Sequence, residues 1–229
     1  MRFKVLMQKP TKRMRACAVF CSLLTTGCHT ASLQSSETVA DSIRGFSGKQ
    51  GADGWSYGYW DRTADTDRNY DQTTDFRLLR HFGGDPINRI SKHPDFTTGK
   101  LWTLQDGFYY TALWAEGGSA NGTAKSPPQA KVEHWAVRRW VSTVDGSVTI
   151  SGHAAKILDW GDVDSGQVRI VIDGTTVFSA TTHERDTNYS VNAKTKIGSL
   201  VDFLITAGPT ATGGAFGPVN FTAAIRAAP

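Results

Sequence analysis

Val148 and Ile150 alternate with Thr149 and Ser151, Val168, Ile170 and Ile172 with Arg169, Val171 and Asp173, and Val219, Phe221, Ala223 and Ile225 with Asn220, Thr222, Ala224 and Arg226. Successive side chains of a β-strand point to opposite faces, so each run describes a half-buried strand. Asp173-Gly174 separates the apolar pairs Val171-Ile172 and Val177-Phe178. An Asp-Gly step between apolar runs predicts a tight hairpin. Leu200 to Ile205, introduced by Gly198-Ser199 and closed by Gly208-Pro209, is apolar on both faces except at Asp202, which places it in mid-sheet. No stretch sustains the 3.6-residue period of an amphipathic helix.

The N-terminal half adds candidate strands at Trp55 to Trp60, Phe76 to Phe82, Phe108 to Trp114 and Trp135 to Val144, joined by long Gly/Asn/Pro stretches at Asp85 to Lys100 and Gly117 to Gln129. Nine or ten short strands, with no helices to make parallel crossovers, predict an all-β fold: an antiparallel two-sheet β-sandwich wound as a jelly roll.

The N-terminus is of another kind. Arg2, Lys4, Lys9, Lys12, Arg13 and Arg15 precede the uncharged run Ala16 to Leu24, the pattern of a secretory signal. That run is about nine residues, against the roughly 20 that a permanent membrane span needs. Leu24-Thr25-Thr26-Gly27-Cys28 resembles a lipobox, with the leucine four places before the cysteine instead of three. Cys28 is therefore the expected lipidation site, and its acyl chains would hold the protein to a membrane. The alternative is ordinary cleavage nearby, for instance after Ala31. Residues 1–28 are thus expected as a signal peptide, 29–45, polar and Ser/Thr-rich, as a flexible tether, and 46–229 as the sandwich. The expected location is the cell envelope, at the outer membrane or in the periplasm, or outside the cell.

Six of the 25 basic residues and none of the 21 acidic ones lie in the signal, so the remainder carries 19 basic against 21 acidic side chains. No basic excess is left to track phosphates, and no nucleic-acid partner is expected. The three cysteines all lie at or before Cys28. The folded part therefore has neither an internal disulfide nor a thiolate metal site.

The segments GWSYGYWD (54–61), GFYYTALWAEGGSANGT (107–123), WAVRRWVSTVDGSVTISG (135–152), VRIVIDGTTVFSA (168–180), GSLVDFLITAGP (198–209) and FTAAI (221–225) together resemble a module that recurs in secreted bacterial proteins, often beside polysaccharide-degrading or adhesive domains. That module looks like a jelly-roll carbohydrate-binding module, and the resemblance spans nearly all of 46 to 226. It implies a glycan or polysaccharide partner. Related modules often read His-Pro-Asn-Gly where this chain has Ser119-Ala120-Asn121-Gly122, so no histidine contact is carried over there.

Seven tryptophans and six tyrosines suit the stacking of aromatic rings on the apolar faces of sugars. Trp60, Trp102 and Trp160 adjoin expected loops and are the favoured candidate ligand contacts; the competing assignment makes the large aromatics ordinary core. Alternation puts Trp135, Val137 and Arg139 on one face of their strand and His134, Ala136, Arg138 and Trp140 on the other, two sets that are not expected to be buried together. Arg138 and Arg139 are candidate clamps for a carboxylate of an acidic polysaccharide. The competing assignment has one of them solvated and the other paired internally with an aspartate. Asp61, Asp65, Asp67 and Asp71 place oxygen ligands at alternate positions, which suits a structural calcium ion, although Tyr70 and Phe76 stand where an EF-hand needs glycine and glutamate. The acidic run Asp159 to Asp164 is a second such loop.

His81, His93, His134, His153 and His183 are scattered, with no HExxH pattern. No spacing selects a pair of carboxylates or a Tyr/His base beside an arginine, so the expected function is glycan binding without catalysis. An envelope interaction protein and a polysaccharide-acting enzyme are the rivals. Coplanar exposed aromatics would favour binding, a flat apolar patch interaction, and a cleft with converging Asp/Glu or His/Tyr catalysis.

Overall fold

The structure is a computed structural model, and it describes residues 36–83, 100–104, 111–122, 132–157, 166–182, 187–206 and 218–228. They belong to one compact unit, Ser35–Pro229. The strands are β1 (Thr38–Asp41), β2 (Trp55–Asp61), β3 (Arg77–Leu78), β4 (His81–Gly83), β5 (Leu101–Thr103), β6 (Ala112–Trp114), β7 (Gly117–Ser119), β8 (His134–Val141), β9 (Gly146–Lys156), β10 (Gln167–Ile172), β11 (Thr175–Thr181), β12 (Thr187–Thr195), β13 (Leu200–Thr206), β14 (Val219–Phe221) and β15 (Ala224–Ala227).

They form two antiparallel sheets. The first runs β1-β15-β9-β14-β7-β6-β5-β4 with β12 also on β9, and the second runs β11-β10-β13-β8-β2-β3. That order establishes the expected two-sheet sandwich without establishing the jelly-roll winding. There are more strands than expected because the expected strand Phe76 to Phe82 is divided into β3 and β4 on different sheets, the run Val219 to Arg226 is also divided, and β1, β5, β7 and β12 lie in segments not read as strands. Val219 to Arg226, one run by alternation, is broken at Thr222-Ala223 into β14 and β15, both paired with β9.

The local readings with turn chemistry behind them are borne out. Asp173 (φ 45°) and Gly174 (φ 81°) make the β10–β11 hairpin with two successive positive φ values. Strand β13 lies between β10 and β8, as its two apolar faces require. Two boundaries are corrected. Residues 38–41, expected in the tether, form β1 against β15, and Ser42 continues the contact by donating from its amide to the Ala223 carbonyl at 2.8 Å. Residues 117–119, expected in a loop, form β7, where a Cβ on Gly117 would lie 1.9 Å from the Val219 carbonyl oxygen, so only glycine lets the backbones approach. The signal and lipidation readings on 1–28 lie outside the described residues.

The interior between the sheets holds Trp55, Tyr57, Trp140, Val168, Ile170, Phe203, Phe221 and Ile225, all buried. Strand β8 departs from the expectation that only one of its faces is covered, since every residue from His134 to Arg138, and Trp140, is buried. The outer face of the second sheet is roofed by the excursion between β2 and β3. There Tyr70 donates to Asp202 Oδ2 at 2.7 Å, and Gln72 bridges the Leu200 carbonyl (3.1 Å) and the Gly174 amide (2.6 Å). Phe76 lies over Gly58, where an added Cβ would meet its ring at 2.4 Å. A polar, aperiodic segment thus does the covering work of a third layer.

Candidate functional site

The described residues open a large cleft, about 1100 Å³, lined by residues of both sheets. Its position follows from register. Tyr59 pairs with Ala136 and Arg77, and Asp61 pairs with His134, so Tyr59, Asp61, Arg77 and His134 share one face at the end of the β2–β8 pair. Trp102 and Leu104 from the other sheet form the opposite wall, and Leu78, Leu79 and Arg80 line it where the chain crosses between sheets. The crossing is held by the Leu79 amide donating to the Tyr57 carbonyl (3.0 Å) and the Arg80 amide to the Thr103 carbonyl (3.2 Å). Gln50 locks the same edge, donating to the Tyr57 and Leu79 carbonyls and accepting from the Tyr57 amide at 2.7–2.9 Å.

The chemistry in the cleft centres on His134. Its Nδ1 lies 3.3 Å from the Thr111 hydroxyl and its Nε2 lies 3.7 Å from Asp61 Oδ1, while the Tyr59 ring meets it edge-on at 5.1 Å. Asp61 Oδ2 is 3.6 Å from the Arg77 guanidinium. Burial pushes the His134 imidazole below its ordinary value; the Asp61 carboxylate opposes this and Arg77 adds to it. The unfolded chain therefore binds this proton more readily than the folded one. The stability His134 contributes is complete above about pH 6.5 and is lost as pH falls below it. His134→Gln should flatten the stability curve in that window. Equal slopes for wild type and variant just below pH 6.5 would contradict this.

Most of the residues singled out by sequence lie elsewhere, and their placement corrects the expectation. Trp60 is 2% exposed, packs edge-on against Trp135 at 4.8 Å and donates to Asp65 Oδ2 at 3.1 Å. Trp102 is 5% exposed, stacks on Tyr57 at 5.6 Å and donates to the Ser47 carbonyl at 2.8 Å, leaving only an edge to the cleft. Both are core residues. Trp160 and the Asp159 to Asp164 loop lie outside the described residues. Arg138 points between the sheets and donates to the Trp114 carbonyl and, at 3.5 Å, to that of Gly117. Arg139 is bidentate to Asp202 at 2.8 Å for both bonds, donates to the Gln72 carbonyl at 2.6 Å and lies 3.9 Å over the Phe76 ring. Neither arginine presents its charge outward.

The four candidate calcium ligands are not brought together either. Asp61 accepts from the Ala64 amide (3.0 Å), Asp65 from Asp67 (3.3 Å), Asp67 from Asn69 (2.8 Å) and Asp71 from Thr73 (2.7 Å). Each carboxylate closes its own turn. Among the described residues no three His, Cys, Asp or Glu side chains converge as a metal cage, so the arrangement does not fit a calcium ion held by this set. Gly54-Trp55-Ser56-Tyr57-Gly58 matches the G-x-S-x-G pattern of hydrolase nucleophiles, but Ser56 sits inside β2 opposite Arg139 and not on a strand-to-helix elbow.

No family model and no curated protein matches the chain. Among solved structures it is similar to the β-glucosidase of Kluyveromyces marxianus. The selenomethionine-labelled enzyme aligns over 86% of this chain and 20% of that one, with 12% identity and a TM-score of 0.31. The same enzyme in complex with glucose aligns over 80% and 18%, with 11% identity and a TM-score of 0.32. The chain thus spans about a fifth of the length of that enzyme.

The residues that sequence reasoning missed are Tyr59, Arg77, Arg80 and the role of His134. One signal was available: in Trp55, Tyr57, Tyr59, Asp61 an aromatic face ends in an acid, which marks where that face leaves the core. Nothing local pairs Asp61 with His134.

Proposed function

We propose that this chain is an exported, non-catalytic glycan-binding protein, lipid-anchored at Cys28, that takes sugar units into the cleft between Tyr59 and Trp102. The observation that carries the proposal is the make-up of that cleft: an apolar lining of Tyr59, Leu78, Leu79 and Trp102 beside hydrogen-bonding groups on Asp61, Arg77, Arg80 and His134. Apolar rings for the sugar face, with a few placed polar groups for its hydroxyls, are what such a ligand requires. Export and anchoring rest on the sequence of residues 1–28 alone. The ligand contact is thus proposed for the cleft and not for the buried tryptophans.

Tyr59 is the test residue because it is half-buried and lines the cleft. Tyr59→Ala should weaken retention on polysaccharide by about tenfold, about 1.4 kcal/mol, with a melting midpoint close to that of wild type. Wild-type protein retained on no neutral or acidic polysaccharide would overturn the proposal.

One observation favours a second reading, a polysaccharide-acting enzyme. Asp61 and a His134 oriented by Thr111 converge in the cleft, and such a pair can move protons. Release of new sugar ends by wild type, lost in Asp61→Asn, would establish it. No release from any polysaccharide that binds would remove it.

A further inference from the structure

Resting on the glycan-binding reading, we propose that the sugar unit this cleft selects is anionic, with its acidic group held by the guanidinium groups of Arg77 and Arg80. Both residues line the cleft and both are exposed. They flank Leu78-Leu79 on a main chain fixed to both sheets by the Leu79 and Arg80 amide bonds, so the two guanidinium groups issue from a rigid crossing.

Three other arginines of the described fold are committed internally. Arg62 is paired with Glu133 at 2.7 Å, Arg139 with Asp202 at 2.8 Å, and Arg138 is 2% exposed with its Nη2 donating to the Trp114 carbonyl. Arg77 keeps 53% of its side chain exposed, and its approach to Asp61, at 3.6 Å, is too long to be a hydrogen bond. Its fork of donors is therefore open to a ligand, and a planar carboxylate matches that fork with two parallel bonds.

Charge accounting points the same way. The described acidic and basic side chains lining the cleft are Asp61, Arg77, Arg80 and His134, and burial disfavours the charged form of His134. The cleft is left with one net positive charge on a chain that, beyond the signal, carries more acidic than basic residues. A general electrostatic pull on polyanions is thus absent, and a preference for an acidic sugar has to come from these two side chains. Asp61 has a part in this: it lies beside Arg77 and can accept a neighbouring hydroxyl, which orients the sugar while the guanidinium groups take the acid.

The experiment uses the processed full-length protein with polygalacturonate, its fully methyl-esterified form, dextran sulfate and a set of neutral glucans. Polygalacturonate and its ester share a backbone and differ in charge, while dextran sulfate separates a sulfate from a carboxylate as the recognised acid. The expected result is retention on at least one polyanion, weakening with salt, with esterification or loss of the sulfate reducing it about tenfold or more. Arg77→Gln and Arg80→Gln should each weaken it by about tenfold with unchanged melting, and Arg226→Gln, at an exposed site away from the cleft, should leave it unchanged. Equal binding to the acid and ester forms, binding to neutral glucans only, or full acid preference in the Arg77→Gln/Arg80→Gln double variant would overturn the inference while leaving the glycan-binding reading intact. Retention on none of the polymers would overturn both.

Discussion

Replacing Asp202 with alanine is expected to destabilise the fold by about 3–5 kcal/mol, the cost of stripping one partner from a buried ion pair. Asp202 is fully buried in the middle of the second sheet and accepts three bonds from side chains, two from Arg139 at 2.8 Å and one from the Tyr70 hydroxyl at 2.7 Å. Without the carboxylate, the Arg139 guanidinium remains between β13 and the 62–76 roof with the Gln72 carbonyl, the Tyr70 hydroxyl and the Phe76 ring to face it and no negative charge. Tyr70 loses its acceptor as well. Burial first, and the Asp202 charge next, push that phenol far above its ordinary value, so it stays a donor at every practical pH and is left unsatisfied. Urea denaturation measures the loss. The apolar pair Arg139→Met/Asp202→Leu should be less damaging than Asp202→Ala alone, because it leaves no uncompensated charge. A single-variant loss below about 1 kcal/mol would show that the roof is not fastened through this carboxylate.

Trp60→Ala and Trp102→Ala are each expected to cost about 3–5 kcal/mol, the range for deleting a large aromatic from a packed core. Their placement beside expected loops suggested ligand contacts that could be removed without harm to the fold, but burial reverses that expectation. Trp60 fills the space between Trp135 and Tyr70, with ring centroids 4.8 and 5.3 Å away, and Trp102 is enclosed by Tyr57 and Phe82 at 5.6 and 5.1 Å. Each also leaves an acceptor behind, Asp65 for Trp60 and the Ser47 carbonyl for Trp102. Denaturant midpoints of the two variants should fall well below that of Tyr59→Ala. Melting curves that coincide with wild type would place the rings at the surface after all.

The contrast between Tyr59 and Trp60 shows how the candidate site was hidden. Adjacent in one strand, they point to opposite faces. Composition ranks the tryptophan as the better sugar contact, and only the covering layers decide which ring remains accessible. Tyr59 faces inward into the cleft that Trp102 of the first sheet also lines. Trp60 faces outward at a point where the 62–76 excursion has folded over it. The arginines divide in the same way: the conspicuous Arg138-Arg139 pair is internal, while Arg77 and Arg80, separated by two leucines, line the cleft.

The positions of β2, β8, β10 and β13, the Asp173-Gly174 hairpin and the mid-sheet place of Leu200–Thr206 were determined by the sequence itself, because alternation and turn chemistry act between residues a few positions apart. Other features were decided only by the tertiary structure. These include the pairing of Thr38–Asp41 with β15, the burial of both faces of β8 from His134 to Arg138, the pairing of Arg139 with Asp202 and the meeting of Asp61 with His134. Each depends on which distant segment comes to lie over a given face or beside a given strand. A polar, aperiodic cover such as residues 62–76 carries no periodic pattern that would show beforehand where it will settle. Its position is set by the long-range bonds of Tyr70, Gln72 and Arg139, which exist only once the sheets have formed.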